Sequence, residues 1–390
     1  MGHSCYQGLI TMISRHDIEL QTGQLKISVH DAKYPLEELL TFGARQNPKR
    51  RYLFMSKVLG KYVPCLPSDM RKTYQLLAKS IVQQIKFPST VWVLGIAETA
   101  TGLGAGVAQE LARCQTQNVI YSHTTRYHLK RDMDFSIFER HSHAPDHLIY
   151  RLDDTLPADE VESIVFVDDE ISTGKTLDQL TKKFQSHRTK IKHFFWVSLV
   201  NWLSEDQRDL YRKEYPLVKF HFISLLDGSY SFLENNSFKL QLPDQTAIGI
   251  SRIANRDDIG RTGYLASAEQ QARFYTPDKQ FLDINLLDKD KKYIVLGTGE
   301  FTYYPFLFAE KLQNSGFNVL FQSTGRSPIL EGKGVKSKQS FFDEAQEGIY
   351  YLYNQPKNRQ TILLYETIEQ YLKCPFWKKL SAITAILERE

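Results

Sequence analysis

Cysteine is scarce in this chain of 390 residues: four in all, Cys5, Cys65, Cys114 and Cys374, at separations that give neither a metal-binding spacing nor a disulfide framework. That excludes a small disulfide-stapled fold and suits a reducing compartment. Long apolar runs are missing too, none approaching the roughly 20 residues needed to span a bilayer. The opening MGHSCYQGL holds no apolar signal segment, and Tyr6 stands where a myristoylation motif wants Ser or Thr. A soluble, cytoplasmic protein without membrane association is the expectation. A large excess of one charge is absent as well. A net charge of +4 permits anionic ligands, but no concentrated basic and aromatic stripe is present, so nucleic acid is not an expected partner.

What is present is the balance of a globular protein, 42% hydrophobic and 24% charged, in a chain too long for one ordinary core. Two domains are expected. Between residues 24 and 226, strand-like runs (QLKISVH, TVWVLGIAE, NVIYSHTTR, SIVFVDDE, HFFWVSLVNW, VKFHFISLL) alternate with helix-like ones (PSDMRKTYQLLAKSIVQQI, GAGVAQELARC, KTLDQLTKKFQS). That succession predicts an α/β fold with a parallel sheet covered on both faces. The pattern lapses from about 235 to 290 and resumes at Tyr293. The expected division is a first domain over 20–235, a connector over 236–290 and a second α/β domain over 291–390.

The second segment echoes the first. VLGIAETATGLGAGVAQEL (93–111) lies over VLGTGEFTYYPFLFAEKL (295–312), NVIYSHTTR (118–126) over NVLFQSTGR (318–326), and SIVFVDDE (163–170) over TILLYETI (361–368). Matched segments in one order suggest two copies of one fold. Strand–turn–helix units look alike in any protein, and the matched pairs Glu98/Glu300 and Arg126/Arg326 favour duplication.

The chemistry concentrates in IVFVDDEISTGKT (164–176). If Ile164–Val167 is a central parallel strand, Asp168 and Asp169 emerge at its carboxyl end, where ligands of such sheets bind. Ser172, Thr173, Gly174, Lys175 and Thr176 then turn into a helix N-terminus, where N–H groups and hydroxyls can wrap a phosphate. Carboxylates repel that phosphate but suit sugar hydroxyls or a magnesium ion. A sugar phosphate with a free diol fits both halves. A solvated acidic turn is the bland alternative, and a Walker A loop fails because no Gly stands five residues before Gly174.

This stretch resembles the phosphoribosyl-diphosphate binding motif of type I phosphoribosyltransferases: four apolar residues, two acids, an apolar residue and a hydroxyl-Gly-x-Thr loop. The resemblance implies that Asp168 and Asp169 hold the ribose hydroxyls, with Mg2+ as cofactor, and that Ser172–Thr176 hold the 5′-phosphate. The family's diphosphate loop falls on GIAETATGLG (95–104), with Glu98, Thr99, Ala100, Thr101 and Gly102 as binding candidates. Glu98 suits magnesium through water, or bracing of the loop, better than direct diphosphate contact. A tight structural turn is the alternative there.

A hood over the reaction centre is expected at 123–150, with five His (123, 128, 141, 143, 147) and Arg126, Lys130, Arg131 and Arg140. Arg126, His141 and His143 are the catalytic candidates there, beside Asp168 and Asp169. Zinc is the competing idea for so many His, but no Cys accompanies them and the spacing is irregular.

The C-terminal STGRSP (323–328) and the segments around it resemble the TRSP domain that follows a phosphoribosyltransferase domain in proteins of tellurite-resistance and stress gene clusters. In that copy the acid pair becomes Glu366-Thr367 and no phosphate loop follows, so ordinary phosphoribosyl-diphosphate binding is not expected. Gly299, Glu300, Arg326 and Ser327 remain as a second candidate site, with a scaffold role as the alternative.

The resemblance implies a magnesium-dependent phosphoribosyltransferase that joins ribose 5-phosphate from phosphoribosyl diphosphate to a nitrogenous base, or runs the reverse reaction, toward a nucleoside-like metabolite. Its partners would be that ligand and a base or nucleotide, and it allows a homodimer. A non-catalytic nucleotide sensor or RNA-binding regulator of the same fold is the other reading. Residues 25–65 and 200–235 are the candidates for base recognition.

Overall fold

The structure, a computed structural model, describes residues 14–84, 90–114, 118–138, 146–239, 260–267, 272–344 and 348–388. Its first sheet is centred on three uninterrupted apolar runs, Val91–Leu94, Ile164–Val167 and Phe194–Val197, all fully buried. Strands sandwiched between helices have no solvent face, so they carry no alternation.

The chain begins with a hairpin, β1 (Ser14–Leu20) and β2 (Gly23–Ala32). A single turn, α1 (Leu36–Leu39), leads to a second hairpin, β3 (Leu40–Ala44) and β4 (Tyr52–Ser56). The long helix α2 (Pro67–Gln84) follows, opened by a proline whose missing N–H costs nothing at that position. Then come β5 (Thr90–Gly95), α3 (Thr101–Cys114), β6 (Val119–His123) and a third hairpin, β7 (Met133–Phe138) and β8 (Asp146–Tyr150). The first sheet is completed by β9 (Val161–Ile171), α4 (Lys175–His187), β10 (His193–Asn201), α5 (Glu205–Glu214), β11 (Lys219–Glu234) and β12 (Tyr264–Leu265).

Its order is β1-β2-β11-β10-β9-β5-β6-β12, with the five strands from β11 to β6 parallel and the outer ones antiparallel. Numbered along the chain, the parallel strands read 2-1-3-4-5, a doubly wound order that reverses between β5 and β9. At that reversal β5 stops pairing at Gly95↔Val167, while β9 continues beside β10 to Ile171↔Asn201. Residues 168–170 therefore lie on a strand whose β5 side is open.

The second sheet is built the same way. Its elements are β13 (Phe274–Tyr275), β14 (Lys292–Gly297), α6 (Tyr303–Asn314), β15 (Asn318–Ser323), a hairpin of β16 (Lys338–Asp343) and β17 (Gly348–Tyr353), β18 (Gln360–Tyr365), α7 (Ile368–Lys373), α8 (Phe376–Leu380) and β19 (Ile383–Leu387). The parallel strands are ordered β15-β14-β18-β19, which again reads 2-1-3-4, with β13 antiparallel at the edge.

The correspondence extends to single hydrogen bonds. Thr124 N donates to Gly95 O at 3.0 Å and Thr324 N to Gly297 O at 3.2 Å. The Thr124 hydroxyl accepts from Ala97 N at 2.9 Å, and the Thr324 hydroxyl from Gly299 N at 3.0 Å. Thr125 exchanges two backbone bonds with Leu148 in β8, as Gly325 does with Tyr351 in β17. Independent strand–turn–helix units would not share these bonds. The second domain repeats the first through its fourth parallel strand.

The copies face each other. α3 and α6 meet, α2 lies across both, and one apolar core includes Val93 and Val295 alike. Tyr74 stands edge-on to Phe306 at 5.3 Å, and Arg71 bridges Glu310 at 2.7 Å and Glu110 at 2.9 Å. The segment between the sheets is tied to both, through β12 on β6 and β13 on β19. Helix α3 sits tightly on its own sheet because Gly104 lies over Gly95: a Cβ at Gly104 would stand 2.7 Å from the Gly95 Cα. Neither backbone can move aside cheaply, so Gly104→Ala should lose about 1–3 kcal/mol. The expected reading is a lower urea midpoint with an unchanged slope.

Candidate functional site

The open edge of β9 presents three adjacent carboxylates, and the structure treats them differently. Glu170 is taken by Arg50 from the β3–β4 hairpin, whose Nη2 lies 2.7 and 2.8 Å from the two carboxylate oxygens. The Arg50 guanidinium also sits over the Tyr52 ring at 5.0 Å. Asp168 accepts from the Asp169 backbone N–H at 2.9 Å. Burial, with the Glu170 charge next to it, pushes the Asp169 carboxyl up to about 6. Asp168 and Asp169 both line the cleft at the sheet's reversal point.

Directly after β9 the chain turns at Gly174, which has a left-handed φ of 72°. A side chain there would be strained, and its Cβ would stand 2.8 Å from the Trp196 ring. The turn is latched from outside by Tyr211, whose hydroxyl donates to Thr173 O at 2.9 Å. Ser172, Thr173, Lys175 and Thr176 line the same cleft as the acids, with the N-terminus of α4 behind them. Gly174 shapes this cradle and is not itself among the lining residues.

The loop after β5 provides Ile96, Ala97, Glu98 and Thr99 to the cleft, and its Ala97–Glu98 peptide is cis. Helix α3 starts at Thr101, so Ala100, Thr101 and Gly102 face inward rather than into the cleft. Thr101 Oγ1 donates to Glu300 O at 2.9 Å and lies 3.0 Å from the Thr302 hydroxyl. Gly102 abuts Thr302. Only the first half of the expected diphosphate loop is therefore exposed to a ligand. Glu98 is paired with the buried Lys61 at 2.6 Å, and Arg326 lies 3.9 Å away. These cations cancel a charge that would repel an anion in the loop.

The β7–β8 hairpin adds Met133–Ile137 and His147 to the wall. It is tied to the end of α4 by Arg188–Asp134 at 2.9 Å. His147 is buried, with Nδ1 2.9 Å from the Thr124 hydroxyl. Arg126 lines the cleft, whereas His123 is buried against the backbone and the Tyr121 ring. His141, His143 and Arg140 lie outside the described residues. The cleft measures ≈ 2040 Å³, well above the roughly 300–1,000 Å³ of a site for one drug-sized ligand. It has room for two reactants.

Residues 39–229 match the model of a phosphoribosyl transferase family, and residues 258–374 match that of the TRSP domain, which lies C-terminal to this transferase domain. The chain belongs to the phosphoribosyltransferase–TRSP family. Solved structures it is similar to include an adenine phosphoribosyl transferase from Trypanosoma brucei, crystallised with AMP, pyrophosphate and ribose-5-phosphate (13% identity over 49% of this chain and 77% of that one, TM-score 0.35). Others are an adenine phosphoribosyltransferase from Thermoanaerobacter pseudethanolicus (17%, 49% and 97%, TM-score 0.32) and an orotate phosphoribosyltransferase from Francisella tularensis (10%, 49% and 79%, TM-score 0.30). No curated protein matches.

The TRSP domain does not gather its own candidate residues into one site. Arg326 and Ser327 open into the large cleft of the transferase-family domain, together with Gly348, Ile349 and Tyr351. Gly299 and Glu300 do not line that cleft; the Gly299 carbonyl accepts from Lys61 Nζ at 2.9 Å behind the cleft surface. Glu300 is closed off beneath Arg261, a residue of the segment between the sheets. Arg261 Nη1 donates to Glu366 Oε1 at 2.6 Å and Nη2 to Glu300 Oε2 at 3.3 Å, and all three side chains are buried. Glu300 also accepts from the Thr125 hydroxyl at 2.6 Å and the Arg126 N–H at 2.8 Å. Burial alone would raise its carboxyl; the Arg261 guanidinium holds it below the ordinary range.

Glu300 and Glu366 occupy the positions of Glu98 and Asp168, so a guanidinium fills the crevice that is open in the first copy. The remaining void is ≈ 20 Å³, space for about one water. No phosphate turn follows Glu366, because Thr367 caps α7 at once by accepting from Gln370 N at 3.0 Å.

Sequence reasoning missed Lys61, Arg50 and Arg261. None stands in a recognisable motif, Arg50 being the middle of the run Lys49-Arg50-Arg51, and each is identified only by the carboxylate it meets across the fold. Removing Arg261 leaves two carboxylates buried without a cation, so Arg261→Met should cost about 3–5 kcal/mol. The pH dependence should also invert. In the wild type, Glu300 is held low and its stabilisation is lost as pH falls through that lowered value. In the variant the buried acids favour protonation, so stability should rise as pH drops from about 7 to about 5. Thermal melts across that range check both.

Proposed function

We propose that the protein transfers ribose 5-phosphate between diphosphate and a nitrogenous base in the cleft of its transferase-family domain. One observation carries the reading: Asp168 and Asp169 stand on the open edge of β9, and a hydroxyl-rich turn at a helix N-terminus follows at once. The carboxylates accept from the ribose hydroxyls, and the 172–176 turn binds the 5′-phosphate through N–H groups and hydroxyls. In the transfer, the nitrogen lone pair bonds to ribose C1 as the C1–oxygen bond breaks. Diphosphate leaves with that electron pair, and the nitrogen gives up a proton. Lys61, Arg126 and Arg326 face the side from which the negative charge departs, which favours the transition state over the bound substrate.

Magnesium fits as a companion of the ligand rather than as a resident ion. Among the described residues no group of three His, Cys, Asp or Glu is placed to hold a metal. The pair Asp168 and Asp169 offers the one or two carboxylates with which magnesium joins substrate phosphates. Bound there, it would supply positive charge against the diphosphate oxygens.

The test is diphosphate release by the purified chain given phosphoribosyl diphosphate, magnesium and a panel of purine, pyrimidine and pyridine bases. Release with any one of them supports the transferase. Binding of the ligand with no release across the panel moves the reading to a nucleotide sensor.

The raised Asp169 makes a second prediction. Its carboxylate is the better acceptor for a ribose hydroxyl, so ribose 5-phosphate affinity should climb as pH rises through about 6, where the ligand's phosphate also takes its second charge. Asp169→Asn should make that rise shallower, leaving the phosphate's share, and weaken binding about tenfold or more at pH 7.5. Calorimetry between pH 5 and 7.5 reads both.

A further inference from the structure

One wall of the cleft is shared by the two domains. The β3–β4 hairpin packs on the TRSP domain through Leu53, Met55 and Tyr62 against Ile329, Tyr351 and Tyr353. Where β3 ends, Arg45 forms a backbone bridge with Ile329, and its N–H donates to Arg51 O at 2.9 Å. The backbone is therefore fixed on both sides, while the guanidinium lines the cleft.

Arg45 differs from the cations around it. Arg50 has Glu170, and Lys61 and Arg326 have Glu98. Arg45 has no carboxylate within 4.0 Å among the described residues, and its Nε is buried with no hydrogen-bond partner. Its nearest charged neighbours include two more arginines, Arg50 and Arg126, and burial together with those charges holds it below the usual arginine range despite the Tyr62 and Tyr353 phenols. A guanidinium that lines a cleft beside two like charges and without a carboxylate partner gains from an anion that joins it there.

The geometry points to an acceptor subsite in which Leu53, Tyr62, Ile349 and Tyr351 cover the faces of a flat ring and Arg45 binds a carboxylate on that ring. This rests on the phosphoribosyl reading of the cleft, in which the 5′-phosphate and diphosphate are held by other elements, the turn after β9 and the loop after β5. What is left for Arg45 is the incoming nitrogen compound, a heteroaromatic carboxylate rather than a neutral base. A planar fork of donors matches a carboxylate through two parallel hydrogen bonds.

Matched nucleotides test this without knowledge of the natural acceptor. Dissociation constants are measured by calorimetry for ribose 5-phosphate, for nicotinate and nicotinamide mononucleotides, and for orotidine and uridine 5′-monophosphates. The wild type should bind the carboxylated member of at least one pair about 10- to 100-fold more tightly, as a charge-assisted pair implies. Arg45→Met should shrink that ratio to about twofold while ribose 5-phosphate affinity stays unchanged, and Arg45→Lys should retain part of it. Equal affinity within both pairs in the wild type overturns the proposal. So does an Arg45→Met protein that loses ribose 5-phosphate and both members of a pair alike. Failure of ribose 5-phosphate to bind the wild type at all would instead sink the reading of the cleft.

Discussion

Burying Arg261 between Glu300 and Glu366 takes three charges out of water, and any one of them left unpaired would cost several kcal/mol. The contact is worth little as a source of stability, since an apolar trio could fill the same space. Its consequence is specificity. The chain contains two crevices of one construction, each at the reversal point of a 2-1-3-4 sheet. The guanidinium closes one to ≈ 20 Å³ and leaves the other open as a cleft of ≈ 2040 Å³. A sheet that retains its ligand-binding topology is thereby converted into a wall.

That wall does more than support its neighbour. Across the boundary, Thr125 and Arg126 of the first copy hold Glu300 of the second, while Arg326 of the second lies near Glu98 of the first. The contacts are reciprocal because the copies face each other, yet their outcomes differ. On one side the carboxylate is sealed under protein. On the other it is neutralised by Lys61 and left beside open space, where an anion can approach. The cleft thus needs both domains for its charge balance, and the common core running through both sheets keeps them in register.

The elements that carry short-range signals were legible in the sequence. Buried strands show as apolar runs, the turn after β9 as hydroxyls around a glycine, and the duplication as matched strands with Glu98/Glu300 and Arg126/Arg326. Reading GIAETATGLG as one ligand loop went too far, because glycines that permit a close approach to a ligand also permit close packing. From Gly102 onward they serve α3 against its sheet and against Thr302. Lys61, Arg45 and Arg50 were not legible for a different reason. Each is defined by what it meets, or fails to meet, over long sequence separation, and no local pattern encodes that. The same holds for the second candidate site: Glu300 and Arg326 are 26 positions apart on one domain, yet Glu300 is buried under Arg261 while Arg326 lines the cleft.

Three consecutive carboxylates on one strand pose an electrostatic problem, which Arg50 resolves in part. In β9 successive side chains alternate faces, so Asp169 is flanked on both sides along the chain but does not share a face with its neighbours. Arg50 pairs with Glu170, yet the Glu170 charge still raises the Asp169 carboxyl, second only to burial, and the Arg50 cation offsets only a little of that. Because Arg50 stacks on Tyr52 and Phe54, its position is fixed by the hairpin that also carries Arg45. One short hairpin therefore carries both Arg45 and the partner of Glu170 into the cleft that Asp168 and Asp169 line.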